Sequence, residues 1–260
     1  MKQFARWAAA LVVLATASLP SSLSAGDAKP DFQIVSKSID ASVRLGAPVK
    51  ADAALAADCL AEGRKWAEKY RAEADAARKE MPDAFRDGGW TVERKYEQRS
   101  LVVERYVSIV RSDYTNTGGA HPNSDLDTIV WDRSAGKRIS IRPFFKDLAD
   151  DGAALRAIRD AILVSLKTEK LKRDIAEPAD PEWTTAIAPK LLKIGAVTLA
   201  PSTEPGKSSG LTFHYPPYAV GPYAEGSYVA FVSWDKLKPY LSADGAAIFG
   251  GTRPKGDEDL

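Results

Sequence analysis

Residues 90–141 decide the fold: WTVERKYEQ (90–98), LVVERYVSIVRSDY (101–114), TNTGGAHPNSD (115–125), LDTIVW (126–131), DRSAGK (132–137) and ISI (139–141). The first, second, fourth and last pieces have the residue types of strands, with alternation through Val103, Arg105 and Val107 in the second. Ser100 or a neighbour is expected to carry the first turn. DRSAGK, with Gly136 near its end, joins 126–131 to 139–141 as a hairpin. Consecutive strands of this kind lie antiparallel.

Upstream, residues 32–46 read as an opening strand bent near Ser38. From Asp52 to Glu80 the composition turns to Ala, Glu, Lys and Arg. Leu55, Cys59, Trp66, Tyr70, Ala77 and Met81 form a helical stripe that Pro82 ends. Downstream, Phe144, Phe145 and Leu148 lead into a helix over 152–173 with Leu155, Ile158, Ile162 and Leu166 on its apolar face. A second helix is expected between Pro181 and Lys193, strands over 196–200, 211–215 and 227–234, and a final helical turn from Trp234 capped by Asp235. Regular βαβ alternation and internal repeats are missing. The expected fold is α+β, with antiparallel sheets, helices on one face and two similar-sized lobes.

Lys2 and Arg6 precede an apolar run from Trp7 to Leu19, then Pro20 and small residues to Ala25, the order of a secretory signal. The run is shorter than the roughly 20 residues that a bilayer core requires. Residues 1–25 are therefore expected to be cleaved, with cuts after Ser24 or Ala28 as alternatives, leaving a periplasmic or secreted protein with no membrane span. Loss of Lys2 and Arg6 from 36 basic residues leaves 34 against 35 acidic ones, a formal charge of −1. No basic field is present to gather nucleic acid or anionic lipid. The single cysteine, Cys59, cannot form an internal disulfide, so stability rests on a core. It lies too far from the apolar run to be a lipoprotein attachment site and reads as a small apolar residue on a helix face.

No Gly-x-Ser-x-Gly elbow, His-Glu-x-x-His pair, phosphate-binding loop or cysteine pair for zinc is present. Neither cofactor nor metal is expected, and Asp125 with Asp127 reads as solvated acids at a strand entrance. The two histidines, His121 and His214, fall in the two most unusual segments. In the first, Gly118 and Gly119 open backbone angles closed to other residues, and Pro122 holds His121 extended. Two readings stay open there: a tight turn with a capping histidine, or an imidazole fixed for catalysis. In the second, FHYPPYAVGPYAEG (213–226), Tyr215, Tyr218 and Tyr223 stand among three prolines. Such rings lose little rotamer entropy on binding, which suits recognition of glycan or protein; packing beneath the sheet edge is the competing reading.

The ordered set Val107-Ser108-Ile109, Tyr114, Gly118-Gly119-Ala120-His121, Trp131-Asp132, Gly136-Lys137, Phe144-Phe145, Leu211-Thr212-Phe213, Tyr215, Pro217-Tyr218, Gly221-Pro222-Tyr223-Ala224 and Gly226 resembles the extracytoplasmic module shared by RsiV-type anti-sigma factors and PdaC-type peptidoglycan deacetylases. The resemblance covers about residues 30–240. It implies a PdaC-like half (26–115), an RsiV-like half (116–243) and a flexible tail (244–260). It also implies a ligand-sensing surface of the kind that binds lysozyme. Six residues ahead of the apolar run leave no sigma-factor-binding segment, and the chain has no room for a deacetylase domain, so neither activity is carried over. The expectation is a non-catalytic periplasmic binding module for cell-wall glycan or a wall-acting protein such as lysozyme. Its expected ligand-binding residues are Tyr114, Gly118, Gly119, His121, Tyr215, Tyr218 and Tyr223. The alternative is a small envelope hydrolase or esterase using His121 as base.

Overall fold

The computed structural model describes residues 29–176 and 181–257; the expected signal peptide, residues 1–25, and the end of the tail lie outside them. In chain order the elements are β1 (Phe32–Val35), β2 (Ile39–Leu45), α1 (Ala47–Ala51), α2 (Ala53–Glu80), β3 (Trp90–Val102), β4 (Tyr106–Asn116), β5 (Asn123–Asp132), β6 (Lys137–Ile139), α3 (Ala153–Lys172), α4 (Pro181–Thr184), β7 (Ala196–Leu199), β8 (Gly210–Tyr215), β9 (Tyr228–Ser233), α5 (Trp234–Leu237) and α6 (Ala243–Ile248). The first six strands form one sheet in sequence order and the last three a second, an α+β arrangement. Every strand pair is antiparallel except β2–β3, which is parallel because the long α2 carries the chain back between them.

Asp52 caps α2 by accepting from the Leu55 N–H, and the helix stops just before Pro82. Its buried face is Leu55, Cys59, Gly63, Ala67 and Ala74. Trp66 and Tyr70 only flank that face, and Met81 is exposed. The expected stripe of large residues is thus rotated, because the helix lies close against the sheet: a Cβ on Gly63 would sit 2.6 Å from Val43 Cγ1. Gly63→Val is expected to overpack this contact by roughly 2–3 kcal/mol, read as a lower urea midpoint with unchanged m.

The β3–β4 turn is not at Ser100. It lies at Val103 and Glu104, both in the left-handed region at φ 45° and 54°, without the Asn or Gly that would announce it. The Val103 N–H is held by the Gly206 carbonyl, a contact from far along the chain. Ser100 sits instead beside a register shift after Gln98 that exchanges the faces of the strand. Before it Val92 and Tyr96 pack on α2; after it Val102 joins the core shared with the second sheet.

That second core holds β7, β8, β9 and the stripe Leu155, Ile158, Ile162 and Leu166 of α3. β8 is buried along its whole length. The free edge of β7 is closed by two serines of the first sheet: Ser100 donates to Leu199 O at 2.6 Å, and the Leu199 N–H donates to Ser108 Oγ at 3.0 Å. α4 is a single turn, shorter than the expected helix to Lys193. Pro189 cannot donate within such a helix, and its carbonyl accepts from Asp151. Ser233, not Asp235, caps α5.

Two expected boundaries move. A division at 115/116 would cut the β4–β5 hairpin, which pairs continuously from Tyr106 with Asp132 to Thr115 with Asn123; the first sheet runs on to Ile139. The segment expected as a flexible tail begins with α6 and continues as a strap. There Trp234 Nε1–H donates to Gly251 O, and the Asp257 carboxylate is gripped by Arg99 at 2.6 Å and Arg253 at 2.7 Å. Its charged residues read as a solvated tail, yet they find partners across the fold.

Candidate recognition site

The β4–β5 hairpin carries the 117–122 loop beyond the sheet. Gly118, at φ +83°, makes the turn, and its N–H donates to Asn116 Oδ1. His121 leaves the loop toward the second lobe. There it meets the 216–227 segment between β8 and β9.

That segment is braced from below. The apolar stripe of α3 continues, one turn past Leu166, to Lys170, whose side chain is 3% exposed and pairs with Glu225 at 2.8 Å. Tyr228 donates to the same carboxylate at 2.6 Å, and Arg173 donates to the carbonyls of Glu225 and Ser227. Arg173 also lies 4.0 Å over the Tyr228 ring. Burial alone would raise the Glu225 carboxyl, but hydrogen bonds from Lys170 and Tyr228 and the Lys170 and Arg173 charges hold it below its ordinary range. Burial, then Glu225, pushes Tyr228 up to about 12.

On this base three rings converge. His121 stacks on Tyr223 with centroids 4.0 Å apart, and Tyr218 stands 5.5 Å from Tyr223 and 6.3 Å from His121. The Pro122 carbonyl accepts from Tyr223 Oη at 3.0 Å and from His121 Nδ1 at 2.9 Å, which places the ring proton on Nδ1. Nε2 then accepts from Tyr218 Oη at 3.4 Å. Tyr218 is 52% exposed and holds a left-handed backbone at φ 70°. A non-glycine residue there costs about 1 kcal/mol or more, and the outlier sits where the ring is presented to solvent.

The other expected site residues are placed differently. Tyr215 is 4% exposed and donates to Ile194 O, so it belongs to the core; as the last residue of β8 it faces inward with Leu211 and Phe213. Burial pushes its hydroxyl pKa up. Gly119 is exposed beside the turn, and Tyr114 is exposed on β4, lining a pocket that the second lobe closes through Ser227. His214 is buried against Thr198, apart from His121. The imidazole of His121 meets the Pro122 carbonyl and the Tyr218 hydroxyl. Among the described residues no group of three or more His, Cys, Asp or Glu could hold a metal, and no helix is long and apolar enough to cross a membrane. A separate groove of about 580 Å³ between α3 and β9, lined by Val164, Phe231 and Tyr240, shares no residue with the ring cluster.

The ionic brace was not anticipated. Its one signal was Lys170 itself, a cation at the next position of an apolar stripe, which requires a buried partner.

The architecture is that of an α+β module with an exposed inter-lobe aromatic cluster. Residues 146–235, which lie in the second lobe, match the family model described as "Protein of unknown function (DUF3298)". Among solved structures, a DUF3298 family protein from Pseudomonas aeruginosa PAO1 is similar, with TM-score 0.54 and 18% identity over 82% of this chain and 87% of that one. A DUF3298 family member from Bacteroides fragilis has TM-score 0.48 and 17% identity over 73% of this chain and 71% of that one. No curated protein matches the chain. At 18% identity the likeness to the Pseudomonas protein is one of fold.

Proposed function

We propose that this protein is a non-catalytic binding module of the cell envelope, periplasmic or secreted, recognising cell-wall glycan or a wall-acting protein such as lysozyme. The observation that carries the reading is the His121–Tyr223–Tyr218 cluster. Three rings from two distant segments meet, with His121 and Tyr218 exposed, Tyr223 half-buried and the segment that carries the tyrosines held by a buried ion pair, so little conformational entropy is lost when a ligand covers them. The RsiV-type and PdaC-type resemblance supports the same reading, since it runs through both segments. The amino-terminal signal pattern supports export.

The test is retention of the chain lacking residues 1–25 on purified peptidoglycan and on immobilised lysozyme. Retention on one of them is expected, with Tyr218→Ala weakening it about tenfold or more, as truncation of an exposed aromatic anchor does. Folded protein that is retained on neither would overturn the proposal.

A further inference from the structure

The uncovered end of the first sheet carries a second feature. Glu93, Lys95, Ser112, Tyr114, Ser124 and Leu126 lie on one face by register: Glu93 opposes Tyr114, Lys95 opposes Ser112, and Ser112 and Tyr114 oppose Leu126 and Ser124. Farther along β4 this face meets the second sheet, where Ser108 bonds β7; here it is open, and a pocket of about 180 Å³ forms between it and Ser227. Ser227 is held through its carbonyl by Arg173, the residue that also fixes Glu225, so the pocket shares the brace of the aromatic cluster.

The pocket's chemistry is specific. Glu93 is claimed by Arg44 at 2.7 Å and Lys95 at 2.8 Å, and the buried Asp113 is gripped by Arg94 through two hydrogen bonds. A strongly charged ligand would have to compete with these internal pairs. The Tyr114 ring, 38% exposed, supplies an apolar wall, while Ser112, Ser124 and Ser227 border it with hydroxyls. A ring wall beside small hydroxyls, with the neighbouring charges already paired, matches a molecule with an apolar face and a rim of hydroxyl and amide groups. We infer that this pocket is a saccharide subsite, taking one pyranose unit of an uncharged N-acetylated glycan against Tyr114, with the His121–Tyr218–Tyr223 cluster contacting the next part of the ligand.

This rests on the glycan arm of the proposed function, and the two can fail separately. The probe is N,N′,N″-triacetylchitotriose, titrated calorimetrically into the wild-type protein, Tyr114→Ala, Tyr114→Phe and Tyr218→Ala. Saturable binding is expected, weakened tenfold or more by Tyr114→Ala and kept within about threefold by Tyr114→Phe, which retains the ring; circular dichroism reports folding. Wild-type affinity in Tyr114→Ala, or no binding of the trisaccharide by the wild type, overturns the subsite. If peptidoglycan or lysozyme is still retained through Tyr218 in that case, the subsite alone has failed.

Discussion

Glu225→Ala is expected to lower the thermal midpoint by roughly 10 °C, because it leaves Lys170 charged, 3% exposed and without its partner. Breaking a buried pair from one side costs about 3–5 kcal/mol, and for a chain of this size each kcal/mol is worth roughly 2–4 °C. Lys170→Met combined with Glu225→Ala should recover much of the loss, since the stranded charge is then gone. Glu225 has a depressed folded-state pKa, so its stabilisation is present above the ordinary carboxyl range and lost as pH falls through the lowered value. The functional consequence is local: with the 216–227 segment unbraced, Tyr223 no longer holds its stack on His121, and retention on the ligand falls with the midpoint. A Glu225→Ala protein that melts like the wild type would remove the brace from the account.

His214 predicts the second large effect. Burial at 1% exposure, followed by the charges of Arg99 and Arg253, pushes its pKa down to about 3. In the unfolded chain the imidazole takes a proton near its usual 6.5, so between those values the unfolded state binds more protons and stability falls with acidification. The slope is about 1.4 kcal/mol per pH unit, or roughly 2 kcal/mol between pH 7 and pH 5. His214→Gln cannot titrate and should lose this dependence over that range in urea unfolding at several pH values. Parallel stability curves for the two proteins would show that His214 is not held neutral.

The sequence made the sheet legible because its strands follow one another without interruption, and α3 legible because Leu155, Ile158, Ile162 and Leu166 keep strict helical spacing. It misled where small residues or distant partners decide. The helix face chosen by Gly63, Ala67 and Ala74 carries little hydrophobic signal. The turn at Val103 and Glu104 depends on the Gly206 carbonyl, and the strap ending at Asp257 depends on Arg99 across the fold. At the candidate site, Gly118, His121, Tyr218 and Tyr223 were visible as unusual loop residues. Tyr215 was not distinguishable from them, because strand register, not residue type, turns it inward.

The most direct test of the central claim uses the fact that the chain has two histidines, one at the cluster and one buried. Their imidazole proton signals are followed by NMR while peptidoglycan fragments or lysozyme is added to the folded protein. The His121 signal is expected to shift in step with binding while the His214 signal stays in place. Binding that saturates while the His121 signal remains unmoved would contradict it.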